Sequence, residues 1–281
     1  MTETLRRMTD LADAKLYSLI ELMQPVIASD RLTDEQRQTI SWLSGACIRS
    51  SGSALLLVGF GRVWDAEIVS RSVFEATMKF CHLLGDETKI CERFFEYQQS
   101  LSDIAALSDH QKAQLVIDLA PTEDRAMTAP MAELLLSEEE ADRIRNQYPR
   151  QSRRQLKGSW GFTGLIQTMV SSGEGLGGIA SGFSHGYAMA SHVAHADFIG
   201  IGMVMEREYR SDERRDAANR GHAARVISDQ LWYFAFRLIV AYRFIDKPRK
   251  QIFDLMKDGS EIWELLEDAQ SKFFKVEYPD V

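Results

Sequence analysis

Leu231-Trp-Tyr-Phe-Ala-Phe-Arg-Leu-Ile-Val-Ala-Tyr-Arg-Phe-Ile245 is the most apolar run of the chain. It is shorter than the ~20 residues a bilayer requires, and Arg237 and Arg243 interrupt it. Such a run reads as a buried core helix. Upstream, Ser211 supplies an N-cap, so one long helix is predicted over about 212–245. Six prolines in 281 residues and few β-branched runs extend the helical reading to the whole chain.

Working outward, residues 3–28 read as a helix with Leu11, Leu16, Leu19, Ile20 and Met23 on one side and a bend at Pro25. Thr33-x-x-Gln36 is a capping box opening a helix to about Leu57. A third helix runs from about Arg62 to Gly85, and a long fourth covers roughly 87–119. Residues 120–136 read as a loop, Ser137-x-x-Glu140 caps a short helix, and 148–164 reads as irregular. Glycines at 173, 175, 177 and 178 separate two further helices, and short helices near 247–257 and 261–274 close the chain. The expectation is an all-α bundle of about eight to ten helices in a single domain over 1–281. Its core lies at about 34–119 and 162–246, with an irregular excursion at 120–161. No internal repeat, heptad array or low-complexity segment is visible.

Hydrophobic residues make up 45%, which excludes global disorder, and a formal charge of -8 argues against non-specific nucleic-acid binding by the whole surface. Cys47, Cys81 and Cys91 form no CxxC pair. An odd set of free thiols and an N-terminus unlike a signal sequence lead to the expectation of a cytoplasmic protein without a membrane anchor. A homodimer is expected, because bundles with helices as apolar as 231–245 often pair.

Four constellations can carry chemistry. Tyr187, Ser191 and His195 recur every fourth residue and share one helical stripe. Such a chain of donors and acceptors can bind a ligand, move a proton or simply satisfy a polar seam. His185, His192 and His195, with Asp197, are weak metal-ligand candidates, since their spacing matches no standard pattern. Arg71, Glu75 and Lys79 form an i, i+4, i+8 stripe on a helix otherwise apolar on several sides: either a surface ion-pair ladder or, if the helix is buried, a pair whose Arg71 and Glu75 need partners inside the protein. Tyr187 and His195 are the candidates. Arg215 and His222 lie seven apart on one helix, a pairing that suits RNA backbone cleavage as well as a solvated helix start. Arg150, Arg153, Arg154 and Lys157, running into Trp160 and Phe162, suit either nucleic acid or solubility. No cofactor motif is present, and no cofactor is expected.

The order Arg71-Ser-Val-Phe-Glu75, Phe94-Phe-Glu-Tyr97, Gly158-Ser-Trp160 and Tyr187-x-x-x-Ser191-x-x-x-His195 resembles an uncharacterised group of microbial helical proteins, over roughly residues 40–200. That resemblance implies an α-helical fold and a polar site from Arg71, Glu75, Tyr187, Ser191 and His195, with no established reaction. A more distant likeness is to HEPN-type helical bundles, many of them metal-independent RNases of toxin or phage-defence systems. There Arg215-Asp216 and His222 would be the active pair across a homodimer cleft. The expected function is a non-enzymatic ligand-binding, sensing or partner module. The alternative is a HEPN-like RNase acting on RNA.

Overall fold

The computed structural model describes residues 2–120, 125–171 and 177–280. They form α1 (Thr2–Glu21), α2 (Gln24–Ile27), α3 (Asp34–Gly59), α4 (Val63–Leu84), α5 (Ile90–Phe95), α6 (Leu101–Leu119), α7 (Arg125–Ala132), α8 (Glu138–Gln147) and α9 (Arg150–Ser159). The chain continues as α10 (Phe162–Ser171), α11 (Gly177–Ala194), α12 (Phe198–Glu208), α13 (Asp212–Phe244), α14 (Lys250–Lys257) and α15 (Ser260–Glu277). Among the described residues there is no strand, and the helices outnumber the eight to ten expected. Ser137 opens a short helix as expected, α8, but the loop at 120–136 and the irregular stretch at 148–164 are corrected: their described parts hold α7, α9 and the start of α10. Pro149 stands at the N-cap of α9, where its missing N–H costs nothing. The first predicted helix is also broken, between Glu21 and Gln24.

Local chemistry accounts for many boundaries. The Thr33 hydroxyl accepts from Gln36 N–H while the Gln36 side chain takes Thr33 N–H, a complete capping box. Ser137 and Ser211 cap α8 and α13 in the same way, each accepting from the backbone three residues on. Gly61, at φ +74°, reverses the chain between α3 and α4, where a side chain would be strained.

The described residues pack as two compact units, one of 1–87 with 169–281 and the other of 88–168. In the first, α4 packs against α3, α11 and α13, and α1 lies on α3 and α13. The predicted core run lies here. Leu231, Leu238, Val240 and Ala241 are at most 1% exposed, as a core helix requires, while Trp232 is 39% exposed. Two polar layers cross this core. Gln230 donates to Ser70 (2.7 Å) and accepts from Ser51 (2.9 Å). Seven residues on along α4 and α13, Arg237 donates to Thr77 (2.6 Å). The two pairs advance in step, so α4 and α13 run parallel.

In the second unit, Leu107, Ala141 and Ile144 form a core flanked by Leu136 and Tyr148. Between α5 and α6 the helix winds through a π turn, Glu96–Ser100. The His110 Nδ1 accepts Leu136 N–H at 3.1 Å, and Tyr148 donates to Ser100 at 3.1 Å. No single helix among the described residues is long and apolar enough to cross a membrane.

Candidate functional site

Helix α4 presents Glu67, Arg71 and Glu75 at successive i+4 positions, hence on one face. Helix α13 presents His222, Arg225, Asp229 and Tyr233 at near-helical spacing. Helix α11 brings Gly186 and Tyr187 to the α4 face. Three polar stripes therefore meet inside the first unit.

At one end, Arg71 Nε donates to Glu75 Oε1 (3.1 Å) and its Nη2 to the Tyr187 hydroxyl (3.2 Å). Tyr187 donates in turn to Glu75 Oε1 (2.9 Å), with the guanidinium 4.9 Å above its ring. Each member is satisfied by the other two. Burial raises the Tyr187 hydroxyl above the ordinary phenol range and Glu75 adds to this, against Arg71, so the phenol stays protonated. The group is half-buried, with 22% of the Arg71 and 35% of the Glu75 side chain exposed.

At the other end, His222 Nε2 lies 2.9 Å from Glu67 Oε2, and Arg207 Nη1 lies 2.7 Å from His222 Nδ1. A guanidinium only donates, so Nδ1 must be the acceptor and Nε2 must carry the proton to Glu67. Burial holds the imidazole down to about 4, against Glu67, so His222 is neutral at neutral pH. Arg225 also donates to Glu67 Oε2, and to Asp229 at 3.1 Å. Burial alone would raise Glu67, but the His222 hydrogen bond and the Arg225 charge outweigh it and leave Glu67 below its ordinary value. Asp229 is pushed up to about 7, mainly by burial. Trp64 closes this end, edge-on to His222 at 4.8 Å and beneath Arg207 at 4.3 Å. A Cβ at Gly186 would come 2.8 Å from Arg225 Nη1, so a side chain there would push the guanidinium tip aside.

Arg71, Glu75 and Tyr187 are brought together. Ser191 is half-buried, and His195 lies exposed beyond the end of α11. Neither makes a side-chain hydrogen bond to that trio among the described residues. His192 Nδ1 pairs with Asp197 Oδ2 (2.6 Å), and Asp197 caps α12 by accepting from Gly200 N–H. The His185 side chain lies outside the described residues. Among the described residues no three His, Cys, Asp or Glu side chains converge to hold a metal. Arg215 binds Asp212 (2.6 Å) on the exposed start of α13, whereas His222 is buried on Glu67, so the two do not form a pair. Arg150, Arg154 and Lys157 are exposed along α9, with Arg153 half-buried. Sequence reasoning missed Glu67, Arg207, Arg225 and Trp64. Glu67 was findable, as it extends the Arg71–Glu75 stripe by one turn.

The second unit holds the other motif residues. Trp160 Nε1 donates to Glu96 Oε2 at 2.7 Å, and its ring lies 5.3 Å from Tyr97.

Residues 39–213, more than half of the chain, match a family of unknown function, DUF5677. The chain belongs to the DUF5677 family. The matched DUF5677 span contains both motif clusters, Arg71–Glu75–Tyr187 and Glu96–Trp160, and ends before His222 and Arg225. No curated protein and no solved structure matches the chain. The likeness to HEPN-type bundles finds no support.

Proposed function

We propose that this DUF5677 protein is a non-enzymatic helical module that meets a small polar ligand or a partner side chain at the Arg71–Glu75–Tyr187 edge. The Glu67–His222–Arg225 group behind it holds the helices in register. The observation that carries this reading is the state of His222. A general acid or base must present a lone pair or a proton to substrate. Both ring nitrogens of His222 are already committed, to Arg207 and to Glu67. Arg71 and Glu75 are different, because their bonds to each other are partly open to solvent. They can exchange these for a guest that offers an acceptor to the guanidinium and a donor to the carboxylate.

The test is incubation of structured and unstructured RNA with the protein in EDTA, beside His195→Ala and His222→Gln variants. The expected result is no cleavage by any form and earlier melting of His222→Gln. Metal-independent cleavage that is lost in a folded variant would overturn the non-enzymatic reading.

A further inference from the structure

The charged residues of α1 face solvent, with one exception. Lys15 falls between Ala12 and Leu19 on the buried face of the helix, and it is 8% exposed. Its methylene stem can be buried without penalty. Its ammonium cannot, because a buried charge needs an acceptor. Among the described residues Lys15 has neither an ion pair nor a side-chain hydrogen bond. Burial accordingly holds it below the ordinary lysine range, and the charge of Asp258 opposes this only in part. Nζ is not sealed off, for it keeps some contact with solvent.

That ammonium is aimed at the start of α15, a helix of 18 residues. Gly259 is the N-cap, at φ +93°, and a Cβ built on it would stand 3.0 Å from Lys15 Nζ. Glycine supplies no capping oxygen, and no other side chain caps the helix. Asp258 accepts the Gly259 N–H at 3.0 Å, one step before the helix begins. In the first turn, the amides of Glu261 and Ile262 find no acceptor among the described residues. The Glu261 side chain turns to Arg7. A helix start left bare in this way carries about half a positive charge.

Two sources of positive potential therefore meet with their donors unspent. Backbone N–H groups at a helix start, with an ammonium beside them, are the arrangement that receives oxyanions. The amides point along the axis of α15, whereas Lys15 comes in from α1, which packs against that helix. A tetrahedral anion, whose oxygens diverge, can meet both sets of donors at once, and a planar carboxylate meets them less completely. Asp258 and Gly259 are exposed, so the mouth of the site is open to solution, while the buried stem of Lys15 leaves no depth for a bulky group. We propose that Lys15 and the first turn of α15 form a binding site for a small tetrahedral oxyanion of the phosphate class. The anion gives the ammonium the acceptor that the chain withholds, and Asp258, the carboxylate whose charge reaches Lys15, limits how tightly it is held. The site shares no residue with the Arg71–Glu75–Tyr187 edge.

Titration of the full chain with inorganic phosphate, at fixed ionic strength in a chloride background, tests this by calorimetry and by the rise in Tm. The wild type should bind phosphate and melt later as phosphate replaces chloride. Lys15→Met should bind it roughly 10–100-fold more weakly, the share of one hydrogen bond to a charged group. Methionine keeps the unbranched stem, and removing an unpaired buried charge should leave the Tm in chloride unchanged or higher. Asp258→Asn keeps an acceptor for the Gly259 N–H and removes the opposing charge, so it should bind phosphate about threefold more tightly or better. A wild type that shows neither heat nor a rise in Tm overturns the proposal, and so does binding that survives undiminished in Lys15→Met. Asp258→Asn that melts earlier in chloride and gains no affinity overturns it too, since Asp258 is then the structural counter-ion of Lys15. Should Lys15→Met fail to fold, the Asp258→Asn arm decides alone.

Discussion

Replacing Glu67 by Gln keeps the shape of the side chain and removes its charge. Glu67 is only 3% exposed, so solvent cannot compensate. Its Oε2 takes the His222 Nε2–H and an Arg225 guanidinium N–H. An amide oxygen can still accept both, but the bond from neutral His222 becomes neutral–neutral, about half as strong, and the Arg225 guanidinium loses the charge opposite it. Arg225 keeps Asp229 as its remaining carboxylate. Removing one partner of a buried pair outright costs about 3–5 kcal/mol. With the oxygen retained, we expect a loss of about 2–3 kcal/mol. For a cooperative unit of this size that is a fall of roughly 5–10 °C in Tm. Urea denaturation followed by circular dichroism should show a lower midpoint with an unchanged slope. A double-mutant cycle with His222→Gln should give a coupling energy above about 0.5 kcal/mol. A loss below about 0.5 kcal/mol, with no coupling, would refute the claim that this group holds the three helices together.

Two further outcomes follow from the buried charges. His222, held at about 4 against 6.5 when unfolded, contributes stability that is present above pH 6.5 and is lost as pH falls toward 4. Asp229, at about 7 against 3.8, acts in the opposite sense, its contribution being full below pH 3.8 and lost as pH rises through 7. Relative to wild type, Asp229→Asn should therefore gain stability as pH rises from about 4 to 7, and His222→Gln should lose it from about 4 to 6.5; urea midpoints at several pH values that show parallel curves would contradict both assignments. Arg237 is fully buried on one hydrogen bond to Thr77, with Nε and Nη2 lacking partners, so Arg237→Met should leave Tm unchanged or raise it; a loss of about 3 kcal/mol or more would show that the guanidinium is needed there.

Much of this was legible because it is local. Thr33, Ser137 and Ser211 announce helix starts through bonds that span three residues, and all three caps are present. The Arg71–Glu75 stripe was legible by spacing, and Tyr187 by the argument that a charged stripe on an apolar helix needs internal partners. His195 was misread because period four says nothing about where a helix ends; α11 stops at Ala194, and Ala196 turns the chain at φ +47°. Arg207 was illegible because it reaches His222 only through the sharp α11–α12 bend, which depends on a tertiary contact at Gly200. The segment at 148–164 misled through its polarity: α9 has no buried residue and lacks the apolar periodicity on which a helix assignment rests.

The π turn at Glu96–Ser100 bears on how the chain tolerates changes of length. A π turn is one residue longer than regular α winding needs. Deleting any one residue within it would yield a smoother, better-bonded helix. The surplus residue is held as a local bulge, so its loss would leave the residues on either side facing much as they do now. A deletion in regular α winding instead swings the face beyond it by about 100°. The chain should therefore tolerate a lost codon at Gln98 better than one in the middle of α6, where Leu107 would be carried off Ile144.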